Sequence, residues 1–308
     1  MRFAILFPGQ GSQRVGMGAD LFDARPDLLG ETADEILGWS LRDVCLNGPE
    51  EALTRTDRAQ PALFALGYAM WAELSIRLDI APVAAAGHSL GEYTALTAAG
   101  VFDYRTALRL VSIRGEAMAA AADREPSGMA ALIGVDEEKA EAISAGRRAD
   151  SGRMWVANIN APGQVVVAGG RADIDWIVEK GRDLGVRRVI PLKVGGAFHS
   201  PFMATAASEV AAALRDVAVA PFSFPVYANV TGHPYSEGEV ADLLERQVVE
   251  PVRFAEGLLN MDVDAFVHVG PGDVTAGMAR KTVRDAAVMI AGDTASLAAI
   301  AQRLSEER

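Results

Sequence analysis

Ser89 stands in the run Gly87-His88-Ser89-Leu90-Gly91, a Gly-x-Ser-x-Gly spacing. That spacing suits a nucleophile elbow, in which the serine sits on a sharp strand-to-helix turn with its hydroxyl lifted clear of the sheet. Glycines two residues to either side let strand and helix close on each other, because side chains there would collide. The first N–H groups of the new helix then face an oxyanion formed at the serine. A serine hydroxyl is a weak nucleophile at its free pKa and needs a base. The chain has four histidines: His88 and His268 near strand ends, His233 in a Gly-His-Pro turn, and His199 in the small-residue loop 195–201 before a helix. Position favours His199, without settling the matter. A second oxyanion donor must come from another loop at the same sheet edge, and the Gly9-Gln10-Gly11 loop offers the N–H of Gln10 beside that of Leu90. Together these residues point to acyl chemistry through an acyl-serine, with either water or a thiol as final acceptor.

Arg114 is the other residue out of place. It falls within the apolar stripe Ala107, Leu110, Val111, Met118 and Ala121 of a helix starting at Asp103 and running to about Ala122. A guanidinium stays charged at any relevant pH and is costly on a core-facing stripe unless paired. Its partner is either an internal carboxylate such as Glu92 or a carboxylate arriving with the substrate, which an arginine fork fits well.

The elements that must position these groups follow from hydrophobic patterning. Residues 2–7 read as a fully buried parallel strand, and 83–87 as a second. The Gly-Gln-Gly loop lies at the C-terminal end of the first, where open α/β sheets gather ligands. Residues 31–46 and 59–79 read as helices, with Gln60 beside Pro61 at the start of the second. From Ser127 the order is strand, helix, two strands joined at Asn160-Ala161-Pro162-Gly163, helix and strand, the βαββαβ pattern of a ferredoxin-like unit. The expected organisation is therefore an α/β large domain on a parallel sheet (1–125 and 196–308) carrying an inserted ferredoxin-like small domain (126–195). Strands over 225–230, 265–269 and 287–290 and helices over 238–249 and 274–283 complete the large domain.

Composition narrows the function. Of 308 residues half are hydrophobic and 23% charged, with a net charge of −12, which argues against general binding to nucleic acid or anionic membranes. One cysteine, Cys45, cannot form an internal disulfide and suits a reducing cytoplasm. The first apolar run is too short for a signal peptide, and no run reaches the ~20 apolar residues of a membrane span. One cysteine and no closely spaced histidines leave little from which to build a metal site.

Taken in order, these motifs resemble the malonyl-CoA:acyl carrier protein transacylases and the acyltransferase domains of polyketide synthases. The resemblance covers nearly the whole chain. It rests on Gly9-Gln10-Gly11-Ser12-Gln13, Gln60-Pro61-Ala62-Leu63, Gly87-His88-Ser89-Leu90-Gly91-Glu92-Tyr93, Arg114-Gly115, Asn160-Ala161-Pro162-Gly163-Gln164, Gly196-Ala197-Phe198-His199-Ser200, Pro251-Val252-Arg253 and Gly270-Pro271-Gly272. It implies a hydrolase-like large domain with a ferredoxin-like insert, Ser89 as nucleophile, His199 as base, and the N–H groups of Gln10 and Leu90 as oxyanion hole. It implies that the main-chain carbonyl of Gln247, rather than an acid, orients the histidine, and that Arg114 holds a malonyl carboxylate. His88, Gln60 and Gln164 match positions near the acyl pocket. Phe198 matches the type that goes with malonyl over methylmalonyl, since a phenyl ring fills the space of a branching methyl.

The reaction so implied is a ping-pong transfer of malonyl from malonyl-CoA to the phosphopantetheine thiol of acyl carrier protein, supplying fatty-acid synthesis, with no metal or bound redox cofactor. A carrier protein is acidic, so docking calls for a basic patch: Lys180, Arg182, Arg187 and Arg188, or Arg280, Lys281 and Arg284. The rivals are a discrete acyltransferase of a polyketide synthase and a serine thioesterase or esterase using the same Ser89 and His199.

Overall fold

The computed structural model describes residues 1–236 and 238–306. Strand β1 (Phe3–Phe7) is buried along its whole length. Its alternate residues serve two cores: Phe3, Ile5 and Phe7 pack in one hydrophobic cluster, Ala4 and Leu6 in another with Phe266 and Met278. A strand apolar on both faces must be covered on both, which is the condition for a parallel sheet between helical layers. Around it the chain lays down β2 (Ala84–Gly87), then, after the small domain, β7 (Val226–Tyr227), β8 (Ala265–Val269) and β9 (Ala287–Ala291). The order is β7-β2-β1-β8-β9 and every pairing is parallel. Phe7 pairs with Gly87 and Leu6 with His268, so the loops after β1, β2 and β8 leave from one edge.

In sequence, between β2 and β7, the chain forms a four-stranded antiparallel sheet of β3 (Ser127–Ile133), β4 (Met154–Ala161), β5 (Gln164–Gly170) and β6 (Arg188–Pro191), in the order β4-β5-β3-β6. Its helices Glu137–Ala149 and Arg171–Lys180 complete the βαββαβ order. Pleating divides its strands between two cores. Ala130, Leu132, Val165 and Val167 pack under its own helices. Met129, Ala131, Val166 and Ala168 belong to the core of the large domain, so one face of this sheet sits directly on the parallel-sheet unit.

Several element bounds differ from the sequence expectation. The helix read over 31–46 is two, Glu31–Leu37 and Leu41–Asn47. Gly38 takes φ +72° and ends the first, and the Ser40 hydroxyl accepts from the Asp43 N–H to cap the second. The next helix runs Thr56–Ser75 rather than 59–79, which moves Gln60 from a helix start into a buried turn. The strand read over 225–230 keeps only Val226–Tyr227, because Asn229 leaves the sheet to bond the elbow. Among the described residues, no helix is long and apolar enough to cross a membrane.

Candidate active site

β2 ends at Gly87 and the helix Gly91–Ala98 begins four residues later, leaving Ser89 at φ +53°. A serine held there carries local strain of about 1–3 kcal/mol, which the surroundings must over-determine. They do so by contact. A Cβ on Gly87 would lie 1.8 Å from the Gly91 carbonyl carbon, and one on Gly91 would lie 2.3 Å from the Phe7 oxygen. No side chain fits at either place. Asn229 then ties the turn: its Oδ1 accepts from the Ser89 N–H at 2.7 Å, and its Nδ2 donates to the Gly87 carbonyl at 2.7 Å.

The Ser89 hydroxyl faces His199, Oγ to Nε2 at 2.8 Å. On the far side of the ring, Nδ1 lies 2.6 Å from the main-chain oxygen of Gln247. A carbonyl can only accept, so Nδ1 carries the proton and Nε2 presents its lone pair to the serine. His199 is buried. Burial, and then the positive charge of Arg114, push its pKa down to about 3, against the opposing bond to Gln247. The imidazole is therefore neutral across the physiological range, the state a base requires.

Arg114 has no solvent exposure. Its Nη1 donates to Gln60 Oε1 at 2.5 Å, and its Nη2 to Ser89 Oγ at 3.0 Å and Gln247 Oε1 at 2.8 Å. Its guanidinium carbon lies 5.5 Å from the centre of the Tyr93 ring. Glu92, the candidate internal partner, is not bonded to it. Glu92 Oε2 takes the Gln247 Nε2 at 2.5 Å, and its Oε1 takes the Asn229 N–H at 2.8 Å and the Tyr235 hydroxyl at 2.7 Å. One amide thus separates the buried cation from the buried acid. Burial pushes the Glu92 carboxyl up to about 7, with these three donors and Arg114 pulling it back.

These groups open on a cavity of ≈ 280 Å³ between the two sheets. Gln10, Leu90, Gln60, Gln164 and Phe198 all line it, as do His88, Ser89, Arg114 and His199. Met129, Ala131 and Val166 of the small domain form an apolar wall. Among the described residues, neither the Gln10 nor the Leu90 N–H donates to a protein acceptor, so both remain available to an oxyanion. His88 is anchored by its Nε2 on Asn160 Oδ1 at 2.8 Å, and Gln164 Oε1 accepts from Lys281 Nζ at 3.1 Å. Gln247, named for its carbonyl, also works through its side chain, whose Nε2 donates to the Ser89 carbonyl at 2.8 Å. Sequence reading missed this side chain, Asn229, Tyr235 and Asn160 as an anchor. Asn229 and Tyr235 are lone polar residues in an ordinary context, with no spacing to mark them, while Asn160 read only as part of a turn and Gln247 only as a carbonyl.

Known proteins bear on this geometry. Residues 4–306 match the family described as acyl transferase domain. The chain is 37% identical over 289 residues to a malonyl CoA-acyl carrier protein transacylase of Staphylococcus aureus, covering 92% of each. It is 37% identical over 313 aligned positions to the one of Haemophilus influenzae, covering 98% of this chain and 99% of that one. Among solved structures it superposes on an acyl carrier protein S-malonyltransferase from Vibrio cholerae with a TM-score of 0.92 at 36% identity, over 97% of this chain and all of the other. A malonyl-transacylase solved in complex with its type II polyketide-synthase acyl-carrier protein gives 0.93 at 34% identity, over 98% and 100%. The family match runs from residue 4 to residue 306, across both sheets: the chain belongs to the acyl transferase family.

Proposed function

We propose that this enzyme moves a malonyl group from coenzyme A to the phosphopantetheine thiol of an acyl carrier protein, with Ser89 as the covalent relay. The observation that carries this reading is that one hydroxyl, Ser89 Oγ, touches both a neutral imidazole and a buried guanidinium with no acid bonded to it. The imidazole fits acyl transfer in general. The guanidinium fits an acyl group that brings its own carboxylate, since a buried cation left without a counter-ion is costly.

The malonyl carboxylate replaces Ser89 at Arg114, placing the thioester carbonyl carbon over Oγ. Oγ attacks while its proton passes to His199 Nε2, and the carbonyl oxygen takes the negative charge facing the N–H groups of Gln10 and Leu90. The C–S bond then breaks, His199 returns the proton to the leaving thiolate, and coenzyme A departs. The carrier thiol repeats the sequence in reverse, giving its proton to His199 and restoring the serine. No atom changes oxidation state, so the cycle uses no redox cofactor, and the oxyanion donors do the work of a Lewis acid. Gln60 and Gln247 hold Arg114, Asn160 holds His88, and Phe198 occupies the space a methyl branch on the malonyl group would need. The single buried cysteine suits a reducing compartment, and the cytoplasm is the expected location.

Incubation with malonyl-CoA alone, followed by addition of a phosphopantetheinylated carrier protein, tests the reading. A malonyl adduct stable enough to see by intact mass, discharged to the carrier thiol, is expected. Rapid release of free malonate in place of transfer would make the chain a thioesterase. Carrier proteins from fatty-acid and from type II polyketide synthesis, assayed side by side, assign the pathway.

A further inference from the structure

Gln247 is the hub of the site. Its carbonyl holds His199, and its side chain spans Arg114, the Ser89 carbonyl and Glu92. An amide can serve this set in one orientation only: Oε1 toward the cation, Nε2 toward the two acceptors. Arg114 can only donate and the Ser89 carbonyl can only accept, which sets that orientation, and Glu92 reinforces it. The Glu92 Oε1 is taken by the Asn229 N–H and the Tyr235 hydroxyl, both donors, and its Oε2 accepts from the Gln247 NH₂. We infer that Glu92, three residues beyond the nucleophile on the elbow helix, is a positioning residue for malonyl transfer: it holds the Gln247 amide in place against Arg114 and the Ser89 carbonyl, while leaving the guanidinium without a carboxylate of its own and open to that of the substrate. This rests on the function proposed above.

A carboxylate at position 247 would sit within direct bonding distance of Nη2, where Gln247 Oε1 now lies at 2.8 Å, and would compete with the substrate. One amide further back, the Glu92 carboxyl group holds Gln247 by its Nε2 and cannot occupy the Arg114 fork. Glu92→Gln is isosteric and keeps an oxygen on Asn229 and Tyr235. Its new NH₂ then faces the Gln247 NH₂, donor against donor. Gln247 must turn over or tilt away, and in either case Arg114 loses its acceptor and Ser89 Oγ its fixed neighbour.

The test is steady-state malonyl transfer by wild type, Glu92→Gln and Gln247→Glu, with thermal melting of each free enzyme. Glu92→Gln is expected to lower kcat by about tenfold or more with KM for malonyl-CoA within about threefold, because carboxylate binding survives and the reacting geometry does not. Gln247→Glu keeps the main-chain carbonyl on His199 and is expected to raise KM about tenfold or more, the signature of an internal competitor at Arg114. A Glu92→Gln enzyme that melts lower but keeps wild-type kcat would make Glu92 merely architectural and overturn the inference, as would a wild-type KM in Gln247→Glu. Wild type is measured alongside. If it fails to transfer malonyl, the proposed function falls and takes this inference with it, whereas the other two adverse results overturn the inference alone.

Discussion

Replacing Arg114 by alanine separates cargo recognition from acyl chemistry. The guanidinium is fully buried and bonded to Gln60, Ser89 and Gln247. Removing it leaves a malonyl carboxylate in the cavity with no counter-charge. Breaking a buried ion pair by deleting one partner costs about 3–5 kcal/mol, which is roughly 10²- to 10⁴-fold in kcat/KM. An acetyl group has no carboxylate to strand, and in wild type it must share the cavity with an uncompensated cation. Acetyl transfer is therefore expected to hold or to rise. The Gln60 and Gln247 oxygens lose a donor, at about 1–3 kcal/mol each where no water reaches them, so the free variant melts lower. The assay is single-turnover loading of Ser89 from malonyl-CoA and acetyl-CoA, read by intact mass on variant and wild type. A large malonyl loss beside preserved acetyl loading supports the reasoning. Equal loss of both would refute it and make the arginine part of the scaffold.

Three further outcomes follow from the same geometry. Asn229→Ala removes the acceptor of the Ser89 N–H and the donor to Gly87; a loss of about 2–4 kcal/mol of stability by urea melts is expected, together with slower Ser89 acylation, and unchanged kinetics would show that the elbow holds itself. Phe198→Ala should ease the preference for malonyl over methylmalonyl by about 1–3 kcal/mol, measured as the ratio of kcat/KM values; an unchanged ratio would place selection elsewhere. For pH, His199 and His268 are held down to about 3 and about 4 by burial, so between pH 6.5 and 4.5 the unfolded chain binds two protons there that the folded chain does not. Glu92, raised to about 7, acts in the opposite sense over that window. His88, lowered by burial as well, adds to the histidine side, so at least about one proton is taken up on unfolding and stability falls on acidification by about 1.4 kcal/mol per pH unit or more. His268→Gln should make this slope shallower by about 1.4 kcal/mol per pH unit, and an unchanged slope would assign it to other groups.

The fold was legible where pattern is periodic or spacing is rigid. The fully apolar β1, the βαββαβ order from Ser127 and the glycines around Ser89 each have one physical solution. Arg114 was legible because a cation on an apolar stripe demands an explanation, and Ser89, His199 and the Gln247 carbonyl do meet in one place. What sequence could not reveal are partners set by tertiary packing. Glu92 and Arg114 face the same interior, and only the fold shows that the Gln247 amide stands between them. Asn229 sits in a stretch that reads as strand, and its role comes from the sheet ending early at Tyr227. Gln60 read as a helix-start residue beside Pro61, whereas the helix begins at Thr56 and buries it.

The measurement closest to the centre of the account is peptide mapping of the enzyme quenched after mixing with malonyl-CoA. The account predicts one malonyl group on the peptide bearing Ser89, absent in Ser89→Ala and lost from wild type when a carrier thiol is added. A malonyl label that survives Ser89→Ala, or transfer to the carrier that proceeds without any labelled serine, would contradict it.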